Sequence, residues 1–351
     1  MSRSTEIKVR QLFIIILSWM VVGTFISFYD HLVLLTHDSK GLSSSYSFSN
    51  SLSQHLVSAL IGGLLGGSFL VFYINVWFQD KPYGYTILAI IFSFAIIILI
   101  IIIVKATAFG TSNGSFTYFL HDTSRIKNIM AWFVVVALTQ FLLQLSCKVG
   151  QNGFGNILRG KYHVPQEEKR IFMFLDLNSS TTIAEKLGDE LYHQLLRDFF
   201  ADMAEPILNN QGEIYQYVGD EAVVAWDHQD GIVDNRCIRC YFDIIENIKR
   251  NQQKYIRRYG FVPSFSAGLH SGKVVAGEVG VLKREITYSG DVLNTTARIL
   301  SKGKEIGAGI ISSSSLLREL TFDAGFKIRP IGAFKLKGKE RELDLNEILL
   351  A

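Results

Sequence analysis

A positive mean hydropathy sets this chain of 351 residues apart from ordinary soluble proteins. Its net charge of +3 divides into 11 Lys/Arg against 5 Asp/Glu before Gln166 and 24 against 27 from there on, so no broad basic surface argues for nucleic acid as a partner. Three cysteines, Cys147, Cys237 and Cys240, do not make a disulfide framework, and Cys237-Ile-Arg-Cys240 has neither a second pair nor a nearby His to suit zinc.

The hydropathy has a local source. Residues 11–29, 56–79, 82–104 and 128–147 contain no charged side chain. Each is long enough to cross a bilayer core as a helix, which takes roughly 20 residues. The first lacks a small-residue cleavage site and reads as an uncleaved anchor. Arg3, Lys8 and Arg10 precede it, which places the N-terminus in the cytoplasm, and four spans return the chain there. The expectation is a membrane domain over 1–147 in the plasma membrane, with both termini cytoplasmic. Leu60-Ile-Gly-Gly-Leu-Leu-Gly-Gly67 aligns small residues for close helix contact. His31, His37, His55 and His121 fall on the outer side. Scattered His there are ordinary polar residues more often than ligands of a metal or haem. Residues 148–169, with Gly150, Gly153 and Gly155, form a short linker that would carry movement of the fourth span onward.

From Arg170 to the end, the period changes. The pattern predicts a strand over 170–177, a helix over 180–210, a hairpin over 213–227 and a long helix over about 231–259. Strands at 264–271 and 273–277, a helix from Asp291 to Lys302 and a closing strand over 343–349 follow. This order suits an α+β domain, an antiparallel sheet covered by helices.

Three motifs carry the chemistry. The first strand runs into Asp176 and a polar turn. Gly219-Asp220 sits between two β-rich runs, the signature of a tight hairpin. A hairpin beside the first strand brings Asp176 and Asp220 to one end of the sheet. Two carboxylates there suit divalent cations that are also held by substrate phosphates. Each motif alone is common in α/β proteins. The third is Gly290-Asp-Val-Leu-Asn294-Thr-Thr-Ala-Arg298, with Asn294 and Arg298 on one helix face. By itself this spacing reads as a surface Arg and a cap-side Asn. Next to a metal site, an Arg can stabilise charge developing on phosphate oxygens.

Together, in this order, Phe174-Leu-Asp176-Leu-x-x-x-Thr181, Tyr217-Val-Gly-Asp220-Glu221 and Gly290-Asp-x-x-Asn294-x-x-x-Arg298 resemble the class III nucleotidyl cyclases. The resemblance covers about residues 170–349, roughly half the chain. It implies a ferredoxin-like catalytic domain over 170–351 and a homodimer with composite sites. It also implies two Mg²⁺ or Mn²⁺ ions on Asp176 and Asp220, a ribose-orienting Asn294, a transition-state Arg298 and substrate contacts by Thr181 and the phosphate-binding Lys337. The base-reading positions are Lys and Asp in typical adenylyl members, and Glu and Cys in guanylyl ones. Here they are Gln216 and Thr287. An amide and a hydroxyl can each donate or accept, which serves adenine and favours ATP. Production of cyclic GMP is the alternative. Diguanylate cyclases share the strand–Gly-Asp-Glu–strand turn, but lack the Asn/Arg motif and carry a second Gly where this chain has Val218. A catalytically silent receptor is the alternative of another class, and would be signalled by loss of a metal Asp or of Arg298. Neither is lost. Nothing in the sequence names a ligand for the membrane domain.

Overall fold

The computed structural model describes residues 3–37, 47–74, 83–108, 123–149, 160–282, 284–322, 325–335 and 342–351. The chain divides into two compact units, Met1–Lys148 and Val149–Ala351.

The first unit is helical: α1 (Arg3–His37), α2 (Phe48–Gly62), α3 (Tyr83–Ala108) and α4 (Thr123–Val149). α2 runs on through two π-helical stretches, Gly63–Gly67 and Phe69–Ile74. Among the described residues three stretches are long and apolar enough to cross a membrane: Thr5–Thr36, Phe48–Tyr73 and Ile126–Ser146. The apolar run counted in α3 is the shorter Ile87–Ile100. The small-residue motif brings helices close. A Cβ on Gly67 would lie 2.9 Å from Leu12 Cδ1, and one on Gly63 would lie 3.0 Å from Ile16 Cγ1. Trp19 Nε1 donates to Thr139 Oγ1 at 2.9 Å, joining α1 to α4. Near the other end of α1, Asp30 pairs with Lys127 and lies 4.0 Å from His55 Nε2. Among the described residues no three His, Cys, Asp or Glu side chains gather to hold a metal. His121 and the side chain of His37 lie outside the described residues.

The second unit is an eight-stranded sheet with helices on both faces. Its elements are β1 (Gln166–Leu177), α5 (Ser180–Leu187), α6 (Asp189–Asn209), β2 (Glu213–Val218), β3 (Glu221–Asp227), the short α7 (His228–Ile232), α8 (Arg236–Arg250) and α9 (Gln252–Tyr259). They continue with β4 (Phe265–Val279), β5 (Glu285–Ser289), α10 (Asp291–Ile306), β6 (Ile310–Ser313), the single turn α11 (Ser314–Leu317), β7 (Phe326–Phe334) and β8 (Leu343–Leu350). The strand order is β2-β3-β1-β4-β6-β8-β7, with β5 paired to β4.

Several features depart from the sequence expectation, among them the long helix expected over about 231–259, which is α7, α8 and α9 in succession. The sheet is mixed, because β6 runs parallel to β4 while the other pairs are antiparallel. The expected strands at 264–271 and 273–277 are one continuous strand, since Gly272 remains in ladder register opposite Arg170. The expected helix over 180–210 breaks at Gly188, whose φ of 74° is left-handed, and α6 starts again at Asp189.

Strand alternation decides what each face buries. Ile171, Met173, Leu175 and Leu177 of β1 enter one core with Leu195, Phe199 and Met203 of α6 and Ile238 and Ile244 of α8. Phe172 and Phe174 enter the opposite core with Val223, Val274 and α10's Val292 and Leu300. α10 crosses β4 at two glycines. A Cβ on Gly268 would lie 2.5 Å from Leu300 N, and one on Gly272 would lie 2.6 Å from Val292 Cγ2. Only hydrogen fits at those positions, so α10 is fixed against the sheet.

Candidate active site

Asp176 is the next even-numbered residue after Phe172 and Phe174, so it faces the α10 side as β1 ends. There it stands in register between Glu221 of β3 and Ser266 of β4. Val218 pairs with Glu221, which leaves Gly219-Asp220 as a two-residue turn, with Gly219 at φ 61°. Asp176 and Asp220 are thereby neighbours, each acting on the other's charge.

The electrostatics of this end are strained by like charge. Burial raises the Asp176 carboxyl; Lys304 pulls it back and Asp220 pushes it up again, for a net rise. Burial also pushes Asp220 up, but hydrogen bonding to Asp176 and Ser180 outweighs it and the net is a fall. Two carboxylates this close hold one shared proton more readily than two charges. Glu221 is pushed up to about 7 by burial and by the charges of both aspartates. Asp176 Oδ1 is buried without a hydrogen-bond partner among the described residues. An orphaned oxygen in a carboxylate pair at a sheet end fits a divalent cation. Two protein carboxylates leave the remaining coordination to water and phosphate oxygens, as Mg²⁺ prefers.

Lys304, in the last turn of α10, reaches this end. Its Nζ lies 2.5 Å from Asp176 Oδ2 and 3.4 Å from the Leu177 carbonyl. The sequence reading passed over Lys304, because 128 positions separate it from Asp176 and only the crossing of α10 over β4 joins them. It also gave no role to Ser180 or Glu221. Both stand beside assigned residues, and that adjacency was the available signal.

Asn294 and Arg298 lie elsewhere on the same helix. α10 buries Val292, Thr295, Thr296, Ile299, Leu300 and Gly303. Asn294 is exposed and Arg298 is partly exposed. Neither makes a hydrogen bond or ion pair among the described residues. Helix geometry puts Lys304 about 9 Å further along the axis than Arg298 and turned from it by about 120°. Within one chain, Arg298 therefore does not share a helix face with the lysine that touches Asp176.

A bulge between Ile214 and Gln216 sets Tyr215 out of the β2–β3 register. The Tyr215 ring lies 5.0 Å from that of Tyr288 in β5, and its hydroxyl accepts from Tyr288 N at 3.3 Å. The immediate neighbours of Gln216 and Thr287 thus touch each other. Gln216 is exposed, and Thr287 Oγ1 lies 3.5 Å from the Gly277 carbonyl it faces across the ladder. Thr181 is exposed in the first turn of α5. Lys337 lies outside the described residues.

Tyr288 also anchors the segment that leads into the sheet. The Arg170 guanidinium stacks over its ring at 5.4 Å, donates to Glu168 at 2.6 Å and reaches the hydroxyl of buried Tyr162 at 3.4 Å. Glu278 N donates to the Tyr162 carbonyl at 3.1 Å. Away from the site, Cys237 and Cys240 are buried in the α8 core, and burial pushes the Cys237 thiol up to about 12.

Residues 163–345 match the family model of the adenylate and guanylate cyclase catalytic domain. Adenylate cyclase 2 of Rhizobium meliloti (strain 1021) is 39% identical over 203 residues, covering 58% of this chain and 56% of that protein. The adenylate cyclase of Anabaena cylindrica is 28% identical over 182 residues, covering 50% of this chain and 36% of that protein. The chain thus spans about half or less of the curated relatives it matches. A bacterial light-regulated adenylyl cyclase of known structure superposes with a TM-score of 0.55 at 20% identity, over 65% of this chain and 67% of that one, and shares the fold.

Proposed function

The chain belongs to the family of adenylate and guanylate cyclase catalytic domains, and we propose that it is a membrane-bound homodimeric cyclase converting ATP to 3′,5′-cyclic AMP and pyrophosphate. One observation carries the reading: Asp176 and Asp220 form a carboxylate pair with an orphaned oxygen, while Asn294 and Arg298 stand off the buried stripe of the helix that packs on the same side of the sheet. A second copy related by a two-fold axis would bring one chain's pair to the other's Asn294 and Arg298.

Asp176 and Asp220 would hold two Mg²⁺ or Mn²⁺ ions. Such ions supply an activated 3′-hydroxyl and charge neutralisation on the triphosphate. The chain's own residues do the rest. Asn294 orients the ribose, so that the 3′-oxygen is held in line with the α-phosphorus. Arg298 stabilises the negative charge that builds on the α-phosphate oxygens as pyrophosphate leaves. Thr181, in the first turn of α5, and Lys337 contact phosphate. Gln216 and Thr287 read the base edge; both groups can donate and accept, which matches N1 and N6 of adenine. The adenylate cyclases among the relatives support the same preference.

The membrane reading rests on the three long apolar helices, with α3 as the fourth span. Four spans exceed what anchoring needs, so the membrane domain regulates how the two catalytic domains approach, in response to an unidentified ligand or lipid. The test of the whole reading is the product. Purified full-length protein supplied with Mn²⁺ and equal ATP and GTP should yield mainly cyclic AMP by mass spectrometry. Mainly cyclic GMP would overturn the roles of Gln216 and Thr287, and no cyclic product would overturn the cyclase reading.

A further inference from the structure

The carboxylate end holds three acidic side chains, Asp176, Asp220 and Glu221, and one ammonium acts on all three. That ammonium is Lys304, 2.5 Å from Asp176 Oδ2 and a third exposed. The open oxygen of Asp176 is Oδ1, and Lys304 holds Oδ2. A divalent cation on one oxygen of a carboxylate repels an ammonium on the other, so metal arriving at Asp176 drives Lys304 away, and the displaced side chain has somewhere to go. It lines a polar cavity of about 320 Å³ together with Asn178, Ser179, Ser266 and the Gly307–Gly309 turn. The cavity walls offer hydroxyl and amide groups, and none of the described residues that line it is acidic. α10 cannot follow the movement, because Gly268 and Gly272 fix it to β4. The flexible four-carbon stem of lysine has to make it.

We propose that Lys304 is a metal-side substrate-binding residue: it occupies the cation position at Asp176 while metal is absent, and passes to the triphosphate when metal and nucleotide arrive together. This rests on the cyclase reading above and adds to it a cation contributed by the protomer that holds the metals, opposite the partner's Arg298. It makes metal binding weak until a polyanion is present to receive the released ammonium. The lysine thus couples the two ligands, each improving the affinity for the other.

The test measures Mn²⁺ binding to nucleotide-free, full-length protein by electron paramagnetic resonance, which needs no turnover. Lys304→Met should bind Mn²⁺ about tenfold more tightly than wild type, since the competing charge is gone. Its KM for ATP should rise about tenfold, with a smaller change in kcat. Lys304→Arg, which keeps the charge, should restore most of the KM. A lysine that only braced the fold would not loosen metal binding in the wild type. Unchanged or weaker Mn²⁺ binding in Lys304→Met therefore overturns the proposal, as does tighter binding with an unchanged KM. Lys304→Gln carries the same measurement if the methionine variant does not fold. Asp176→Ala separates the two levels of the argument. If it loses Mn²⁺ while Lys304→Met binds as wild type does, the role of Lys304 alone falls. If it binds Mn²⁺ as wild type does, the metal assignment falls with it.

Discussion

Asp176 and Arg298 lie on the same side of the sheet yet are built by opposite means. Asp176 is held in a strand paired on both sides, is three-quarters buried and bonds to Lys304. Arg298 leaves a helix toward solvent and has no partner among the described residues. The difference follows from what each group costs alone. A pair of largely buried carboxylates is unstable without a cation, so every copy of the chain must solve that problem internally, and Lys304 does so. A solvated guanidinium on a long stem costs almost nothing to display. The costly carboxylate pair is preassembled within the chain, and in the proposed dimer the cheap arginine is displayed for a second copy.

Breaking the preassembled half should have the largest effect. Asp176→Ala or Asp220→Ala should lower turnover by about a thousandfold, the loss of several kcal/mol of charge stabilisation, with oligomeric state and unfolding midpoint near wild type. Initial rates with Mn²⁺, beside sedimentation and thermal melts, would show it; near-normal metal-dependent turnover would remove the metal role.

Breaking the displayed half comes next. Arg298→Ala should cost about a hundredfold to a thousandfold in kcat with little change in melting temperature, as expected for a donor used mainly in the transition state. Co-expression of Asp176→Ala with Arg298→Ala sharpens the contrast, because a mixed dimer regains one intact site. Activity should return toward a quarter of wild type when the chains assort at random, since half of the dimers are mixed and each holds one site of two. Mixed dimers that stay inactive would sink the shared site.

A smaller effect is expected at Gln216, whose proposed role is only to read the base. Gln216→Glu places a carboxylate where guanine offers two N–H donors, and should raise the kcat/KM ratio for GTP over ATP by about tenfold to a hundredfold. An unchanged ratio would take Gln216 out of base recognition. The smallest effect tests how the halves are brought together. Inserting one to four residues at Gly153–Gly155 should change basal turnover non-monotonically, by a few-fold at each step, as helical phase rotates. A flat series would make the membrane unit a passive anchor.

The carboxylate end was legible because its signals are local. A buried run that ends in Asp176, and a Gly-Asp dipeptide between two β-rich runs, require only short-range rules. The rest of the sheet was not. β6 is four residues, Ile310–Ser313, too short to show a period, and its parallel pairing with β4 depends on the α10 crossover. β7 contains Pro330 and a register shift beside it, as an edge strand tolerates. Gly272 read as a break between two strands because glycine usually interrupts a strand. Here it makes room for Val292, which only the tertiary structure reveals. Lys304 was hidden for the same reason, since a lysine near a helix C-terminus is ordinary in sequence.

The Tyr162–Arg170–Tyr288 stack has a mechanical consequence. The chain comes into the catalytic unit through Tyr162, whose ring is buried, whose hydroxyl meets Arg170 and whose carbonyl is bonded to β4. Arg170 in turn lies on the ring next to Thr287. A torque applied at residue 162 therefore passes directly to β4 and β1, and through Arg170 to β5. The incoming segment and β5 are thereby tied together through one arginine. On the proposed base-reading role of Thr287, an input delivered through this route would tune which nucleotide is held as well as the rate.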